Sequence, residues 1–181
     1  MQTLTSHFPF PYELQDRSYT ILLDWWRELE AAKGERADLK RVDSPMRVAF
    51  SPAYHDLLHR LQEAGYRLGT DGRERLAVLA GLAAHIKQLI NDMPFARQMG
   101  SPTPGSQKAK VSELRFRRLL ATDALGELYP LLRRVIGLVD GEANLVDLAR
   151  VIFRWRPIAE QNPYDPRRDW AYEYYATAPR S

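Results

Sequence analysis

The sequence predicts an all-α protein made of two small helical bundles joined by a long basic loop, and three observations carry that expectation. Apolar residues recur with the 3.6-residue period along successive stretches, and no run alternates with the period of two that a half-buried strand shows. Helix-starting and helix-ending residues bracket those stretches, as Ser51-Pro52 and Gly65 do. Between about 91 and 110 the period stops and Pro94, Gly100, Pro102, Pro104, Gly105 and Ser106 dominate. The expected division is therefore 1–92 as an N-terminal bundle, 93–110 as a flexible basic linker, and 111–181 as a C-terminal bundle.

The first helix is expected over about 16–32, where Leu22, Trp25, Trp26 and Leu29 share a face and Gly34 lies near the end. Adjacent tryptophans at that spacing read as core. A short helix over about 35–42 follows, broken at Ser44-Pro45. Ser51 as cap and Pro52 at the first helical position start the next, which turns Tyr54, Leu57, Leu58 and Leu61 inward. Asp71-Gly72 precedes a helix expected over about 73–90, with Leu76, Leu79, Ala83, Ile86 and Ile90 in period and Val78, Leu82, His85 and Leu89 broadening the stripe.

After the loop, Ser112 reads as a cap and Glu113 suits the positive end of a helix dipole. On a helical wheel Phe116, Leu119 and Leu120 take one arc, while Arg115, Arg117 and Arg118 fan over the other. Thr122 and Asp123 open a helix through Tyr129, Leu132, Val135, Ile136 and Val139, in which Pro130 is expected to cause a kink or a break. Asp140-Gly141 turns the chain. Asn144 and Asp147 resemble a capping box for a helix to Trp155, with Leu145, Leu148, Ala149 and Ile152 inward and Arg150 and Arg154 in its narrow polar strip. Arg156-Pro157 ends it, and Arg167 to Tyr175 reads as a short terminal helix.

A chain of 181 residues has the length to bury a real core, and its 45% hydrophobic and 27% charged residues are those of an ordinary globular protein. Having no cysteine, it excludes disulfides, thiolate metal sites and cysteine nucleophiles, and suits a reducing cytoplasm. Residues 1–12 lack the basic and apolar regions of a secretory signal. The longest apolar run, 76–84, falls well short of the ~20 residues that cross a bilayer, so no membrane association is expected. The net charge of +3 is unevenly spread: 1–75 hold 11 Lys and Arg against 12 Asp and Glu, whereas 76–181 hold 15 against 11. The positive surplus belongs to the second half and points to a polyanionic partner there.

The chemical motifs are few. His55 and His59 have the i,i+4 spacing of a two-histidine metal face, but Asp-Leu-Leu lies between them and no third ligand is evident, so two solvated or hydrogen-bonded histidines are expected. His85, on an apolar helix, reads as a packed core residue. No nucleophile elbow, phosphate loop or dinucleotide fingerprint occurs, and neither catalysis, metal nor cofactor is expected. The strongest signal is cationic: Lys87, Arg97, Lys108 and Lys110 in or beside the loop, Arg115, Arg117, Arg118 and Arg134 on the helices after it, then Arg150, Arg154, Arg167 and Arg168. Pairs such as Arg115 with Arg118 and Arg150 with Arg154 repel by a few tenths of a kcal/mol unless an anion lies between them. That balance favours nucleic-acid phosphates as ligand. Trp170, Tyr172, Tyr174 and Tyr175 are read mainly as sealing the second core, with base stacking as their alternative role.

In order along the chain, Trp25-Trp26-Arg-Glu-Leu29, Leu39-Lys-Arg-Val-Asp-Ser-Pro45, the long basic loop, Val111-Ser-Glu-Leu-Arg-Phe-Arg-Arg-Leu-Leu120, Asn144-Leu-Val-Asp-Leu-Ala-Arg150 and Arg167-Arg-Asp-Trp-Ala-Tyr-Glu-Tyr-Tyr175 resemble one family. It is CasB, the small subunit of the type I-E CRISPR Cascade surveillance complex. The resemblance implies a non-catalytic all-α subunit, present as a pair with a second copy of itself, packed along the backbone subunits and against the large subunit. It further implies a basic surface that steadies guide RNA and target DNA, holds the displaced non-target strand and favours the R-loop in antiviral defence. Base pairing then supplies the specificity. Arg115, Arg117 and Arg118 match the family's arginine-bearing helix, and Arg167 and Arg168 its terminal basic pair. Pro94-Phe-Ala-Arg-Gln-Met-Gly100 and Pro130 depart from the family pattern. The alternative expectation is an all-α protein-interaction scaffold whose arginines dock acidic surfaces.

Overall fold

The structure, a computed structural model, describes residues 7–180; the first six residues of the stretch read as lacking a secretory signal, and Ser181, lie outside the described residues. The expected all-α class holds: helices carry the fold, and the strands are two residues long. The chain separates into two compact units, Met1–Ala84 and His85–Ser181.

The first unit contains α1 (Arg17–Ala31), α2 (Lys33–Arg41), α3 (Pro45–Val48), α4 (Pro52–Glu63) and α5 (Thr70–Ala83). Asp16 caps α1 by accepting from the Ser18 amide at 2.9 Å, and Tyr66 donates to the same carboxylate at 2.6 Å. Leu22, Trp25, Trp26 and Leu29 of α1 are buried with Leu57, Leu58 and Leu61 of α4 and Leu76, Val78, Leu79 and Leu82 of α5. Each such side chain removed from water contributes roughly 1.5–3 kcal/mol. The paired tryptophans are core and keep their indole donors satisfied, Trp25 on the Ala53 carbonyl and Trp26 on the Ala83 carbonyl.

The expected helix over 73–90 begins three residues earlier and ends at Ala83. Ile86, Leu89 and Ile90 fit a helical period, but the chain there enters the second unit and forms β1 (Gln88–Leu89), parallel to β2 (Glu142–Ala143). The amides of Lys87 and Ile90 donate to the carbonyls of Gly141 and Ala143. A two-residue strand is too short to display a period, which is why the sequence hid it.

The rest of the second unit is α6 (Phe95–Gly100), α7 (Glu113–Leu120), α8 (Leu125–Leu138), α9 (Leu145–Arg154), a 3-10 turn (Ile158–Glu160) and α10 (Pro166–Thr177). The segment 93–110, expected to be a flexible linker, is neither extended nor between the units. Its first part is α6, with Phe95, Ala96, Gln98, Met99 and Gly100 buried and packed on α10. Pro94 precedes this helix and Gly100 is its last residue, so a proline-glycine-rich composition masked a short buried element. Pro130 does not break α8 either. It stands one turn past the start and forfeits one helical hydrogen bond, while buried Leu128, Tyr129 and Leu132 hold the helix together.

Asp147 ties three helices to one carboxylate. It is buried and accepts from the Phe95 amide at 2.9 Å, the Trp170 indole at 3.1 Å and Arg150 at 2.8 Å. The expected capping box is thus half present. Asn144 accepts from the Asp147 amide, while the Asp147 side chain turns inward. Trp155 and Trp170 meet edge to face, 6.0 Å between centroids, completing the second core.

Candidate nucleic-acid interface

The local sequence first fixes the loop that follows α6. Thr103 and Ser106 close a turn around Gly105, whose φ of 75° is cheap only for glycine. Rungs then run from the Thr103 amide to the Lys108 carbonyl, from Lys110 to Ser101, and from Val111 to Met99, each at 2.9 Å. Lys108 and Lys110 therefore sit on a braced loop.

Immediately afterwards, α7 turns Phe116 and Leu119 into the core and leaves Arg115, Arg117 and Arg118 exposed, as the helical wheel predicts. Leu120 is only partly covered. The α7 helix is clamped to α10 by Phe116 stacked on Tyr174, 3.9 Å between centroids and 7° from parallel, and by the Tyr174 hydroxyl donating to the Val111 carbonyl at 2.7 Å. Burial, with help from the Glu113 carboxylate and Tyr175, pushes the Tyr174 phenol up to about 12. The Tyr175 phenol, which donates to Glu113 at 3.1 Å, is also raised, by burial first and by Glu113 second.

These elements enclose a groove of about 700 Å³. Lys108, Lys110, Arg115 and Arg180 bring four cations to its walls, with Glu113 as the carboxylate and Tyr175 as the aromatic wall. None of the four cations forms an ion pair among the described residues. Such a concave cationic surface offers charge to an anion without first having to break an internal bridge. Arg117, Arg118 and Arg134 are likewise exposed and without an ion pair among the described residues.

Other expected contact residues are placed differently. Arg167 is 7% exposed; its guanidinium donates to the carbonyls of Leu120 and Thr122 at 2.9 and 2.7 Å and lies 4.1 Å from the Trp155 ring. The expectation that it meets a phosphate is corrected: those hydrogen bonds make it an internal brace. Arg150 faces the buried carboxylate of Asp147, and Arg154 donates to the Arg150 carbonyl, so their presumed mutual repulsion needs no external anion. Arg97 pairs with Glu173 at 2.7 Å, and Arg168 lies 3.9 Å from Asp169 while staying 64% exposed. Lys87 is at the short sheet, its stem over Gly141, where a built Cβ falls 2.9 Å from the lysine Cγ. Sequence reasoning missed Arg180. As a lone cation after Pro179 it resembles a tail, and only the fold returns it to the loop.

The remaining histidine motif stays bare of partners for a metal. His55 Nε2 lies 2.8 Å from the Ala49 carbonyl, and no set of three His, Asp or Glu side chains is grouped for a metal ion among the described residues. No helix among them is long and apolar enough to cross a membrane.

Fold and surface together define a small all-α protein that presents unpaired cations along one groove. The sequence profile of CRISPR-associated protein Cse2 matches residues 35–175, and the chain belongs to that family, the CasB proteins of type I-E CRISPR systems. A chain in the crystal structure of E. coli Cascade bound to a PAM-containing dsDNA target has the same fold, with a TM-score of 0.64 and 16% sequence identity over 86% of this chain and 94% of that one. A search of curated protein sequences finds no significant match.

Proposed function

We propose that this protein is the non-catalytic small subunit of a type I-E Cascade complex, and that its second unit holds nucleic-acid backbones so as to favour the R-loop. Family membership supports the first part, and the similarity to a chain of a DNA-bound Cascade agrees with it. The observation that carries the second is the groove where Lys108, Lys110, Arg115 and Arg180 meet without ion pairs among the described residues. Exchange of a DNA duplex for an RNA–DNA heteroduplex is nearly balanced in free energy, so modest backbone contacts tip it. In this reading the ligands are guide RNA, target strand and displaced strand, and the protein partners are the backbone subunits, the large subunit and a second copy of the chain.

Binding of the full chain to single-stranded DNA is expected to weaken steeply with salt. Arg115→Ala with Arg118→Ala is expected to lower the slope of log affinity against log salt by about 1.4, since each lost phosphate contact removes ~0.7 on a single strand. Salt-independent binding, or an unchanged slope in the double variant, refutes the reading. A second reading, a scaffold for protein partners, is favoured by Met46 and Phe50, which are 74% and 79% exposed in the first unit. It predicts that the arginine variant fails to assemble with the other subunits, while DNA binding by the assembled remainder is unaltered.

A further inference from the structure

The outer face of α10 carries a feature that backbone binding does not use. Arg168, Ala171, Tyr172, Tyr175 and Ala176 recur at helical spacing on one face and line a shallow, mostly apolar hollow of about 590 Å³. Tyr172 is 74% exposed and Tyr175 is 50% exposed. A lone exposed tyrosine on a surface is ordinary. Here two stand three residues apart on one helix, with Ala171 and Ala176 beside them leaving their rings accessible.

Tyr175 is also the residue that the hollow shares with the cationic groove. Its ring is held in place: edge to face against Phe116 at 6.2 Å and Tyr174 at 5.2 Å, with its hydroxyl on Glu113. One fixed aromatic ring thus adjoins four cations unpaired among the described residues, with the exposed Tyr172 beside it and Arg168 also lining the hollow. Planar groups attached to an anionic chain match this pair of surfaces. A duplex does not, because its bases are already stacked on one another and only its phosphates are presented.

We infer that Tyr172 and Tyr175 form a base-stacking shelf beside the groove, so that this surface takes strands whose bases are unpaired. The inference rests on the proposed reading of the groove as a phosphate site. It assigns the tyrosines to bases and Lys108, Lys110, Arg115 and Arg180 to the backbone. Every base has a π face, so the shelf accepts any sequence.

The test uses the full chain with four probes: an oligothymidylate, an oligouridylate, an abasic DNA strand of equal length and a duplex. The base-bearing strands are expected to bind about tenfold more tightly than the abasic strand, the effect of one stacked base. Tyr172→Ala with Tyr175→Ala is expected to bring them down to the abasic level while leaving the salt slope unchanged. Duplex affinity should be indifferent to Tyr172→Ala, which lies outside the groove, and Tyr172→Phe with Tyr175→Phe should restore the preference. Tyr172→Ala alone keeps the test open if truncating Tyr175 disturbs α7, and it should remove part of the difference. Whichever of the two base-bearing strands loses more in the alanine variant is the natural occupant. Equal binding of abasic and base-bearing strands with a steep salt slope overturns the shelf and leaves the groove standing. Absence of any salt-dependent binding overturns both.

Discussion

Among single residues, Arg167 and Arg115 show how one side-chain type serves opposite purposes. Arg115 is solvated and unpaired at the groove, whereas Arg167 is enclosed and spends its donors on the carbonyls of Leu120 and Thr122 and on Asp165. Arg167→Ala is therefore expected to cost about 2–3 kcal/mol of stability in denaturant unfolding, because buried carbonyls lose their partners. The same variant should leave the salt dependence of DNA binding unchanged. Arg167→Lys should not restore stability, since an ammonium cannot reproduce the planar fork over Trp155. The sequence makes the two arginines indistinguishable. Each is a cation on a helix, and only the tertiary path of the loop from Leu120 to Thr122 decides which one is enclosed.

At the scale of elements, the contact between α6 and α10 sets the groove's geometry. A Cβ built at Gly100 falls 2.3 Å from the Tyr174 carbonyl oxygen and 2.6 Å from Thr177 Oγ1, so only glycine allows the helices this close. Gly100→Ala is expected to destabilise the protein by roughly 1–3 kcal/mol, measured by urea unfolding, through overpacking against backbone that cannot move away. Tyr174, at the same seam, gives the fold an alkaline limit. Its folded pKa of about 12 exceeds the ordinary value of 10.0, so its neutral form is favoured by folding. That contribution is complete below pH 10 and is lost as pH rises through about 12, and thermal unfolding across that interval should show the midpoint falling. Tyr174→Phe should flatten the fall. The helix carrying Phe116 and Leu119 was legible because eight residues give the period room to appear. The helix α6 was not, because six residues between Pro94 and Ser101 give barely more than one turn, and with every residue but Arg97 buried there is no polar face to reveal a period.

For the whole molecule, charge is distributed by pairing as much as by number. In the first unit Arg27, Arg41, Arg47, Arg60 and Arg75 each face a carboxylate: Asp24, Asp38, Asp43, the pair Glu28 and Asp56, and Asp71. In the second unit Lys108, Lys110, Arg115, Arg117, Arg118 and Arg134 face none among the described residues. Photocrosslinking of a single strand to the full chain, followed by peptide mass spectrometry, should place adducts within 101–118 and 168–180. Adducts concentrated in 17–75 would contradict that map. The surplus in the second half was visible from composition, but which of its cations are available was not. Arg97, Arg150 and Arg167 find partners 76, 3 and 2 residues away, and only the closer two lie within reach of a reading along the chain.

The braced loop after α6 has a practical consequence. Its rungs join backbone groups of 99–103 to those of 108–111, and the exposed tip, 104–107, adds only Ser106, whose amide donates to the Thr103 carbonyl and whose hydroxyl accepts from the Lys108 amide at 3.2 Å. Gln107 lies at that tip, lines the groove and makes no side-chain hydrogen bond among the described residues. The chain has no cysteine, so a single thiol introduced as Gln107→Cys is the sole attachment point for a maleimide dye. Such a label turns the loop into an optical reporter, brightening or dimming as a strand enters and leaves, in a protein otherwise silent to thiol chemistry.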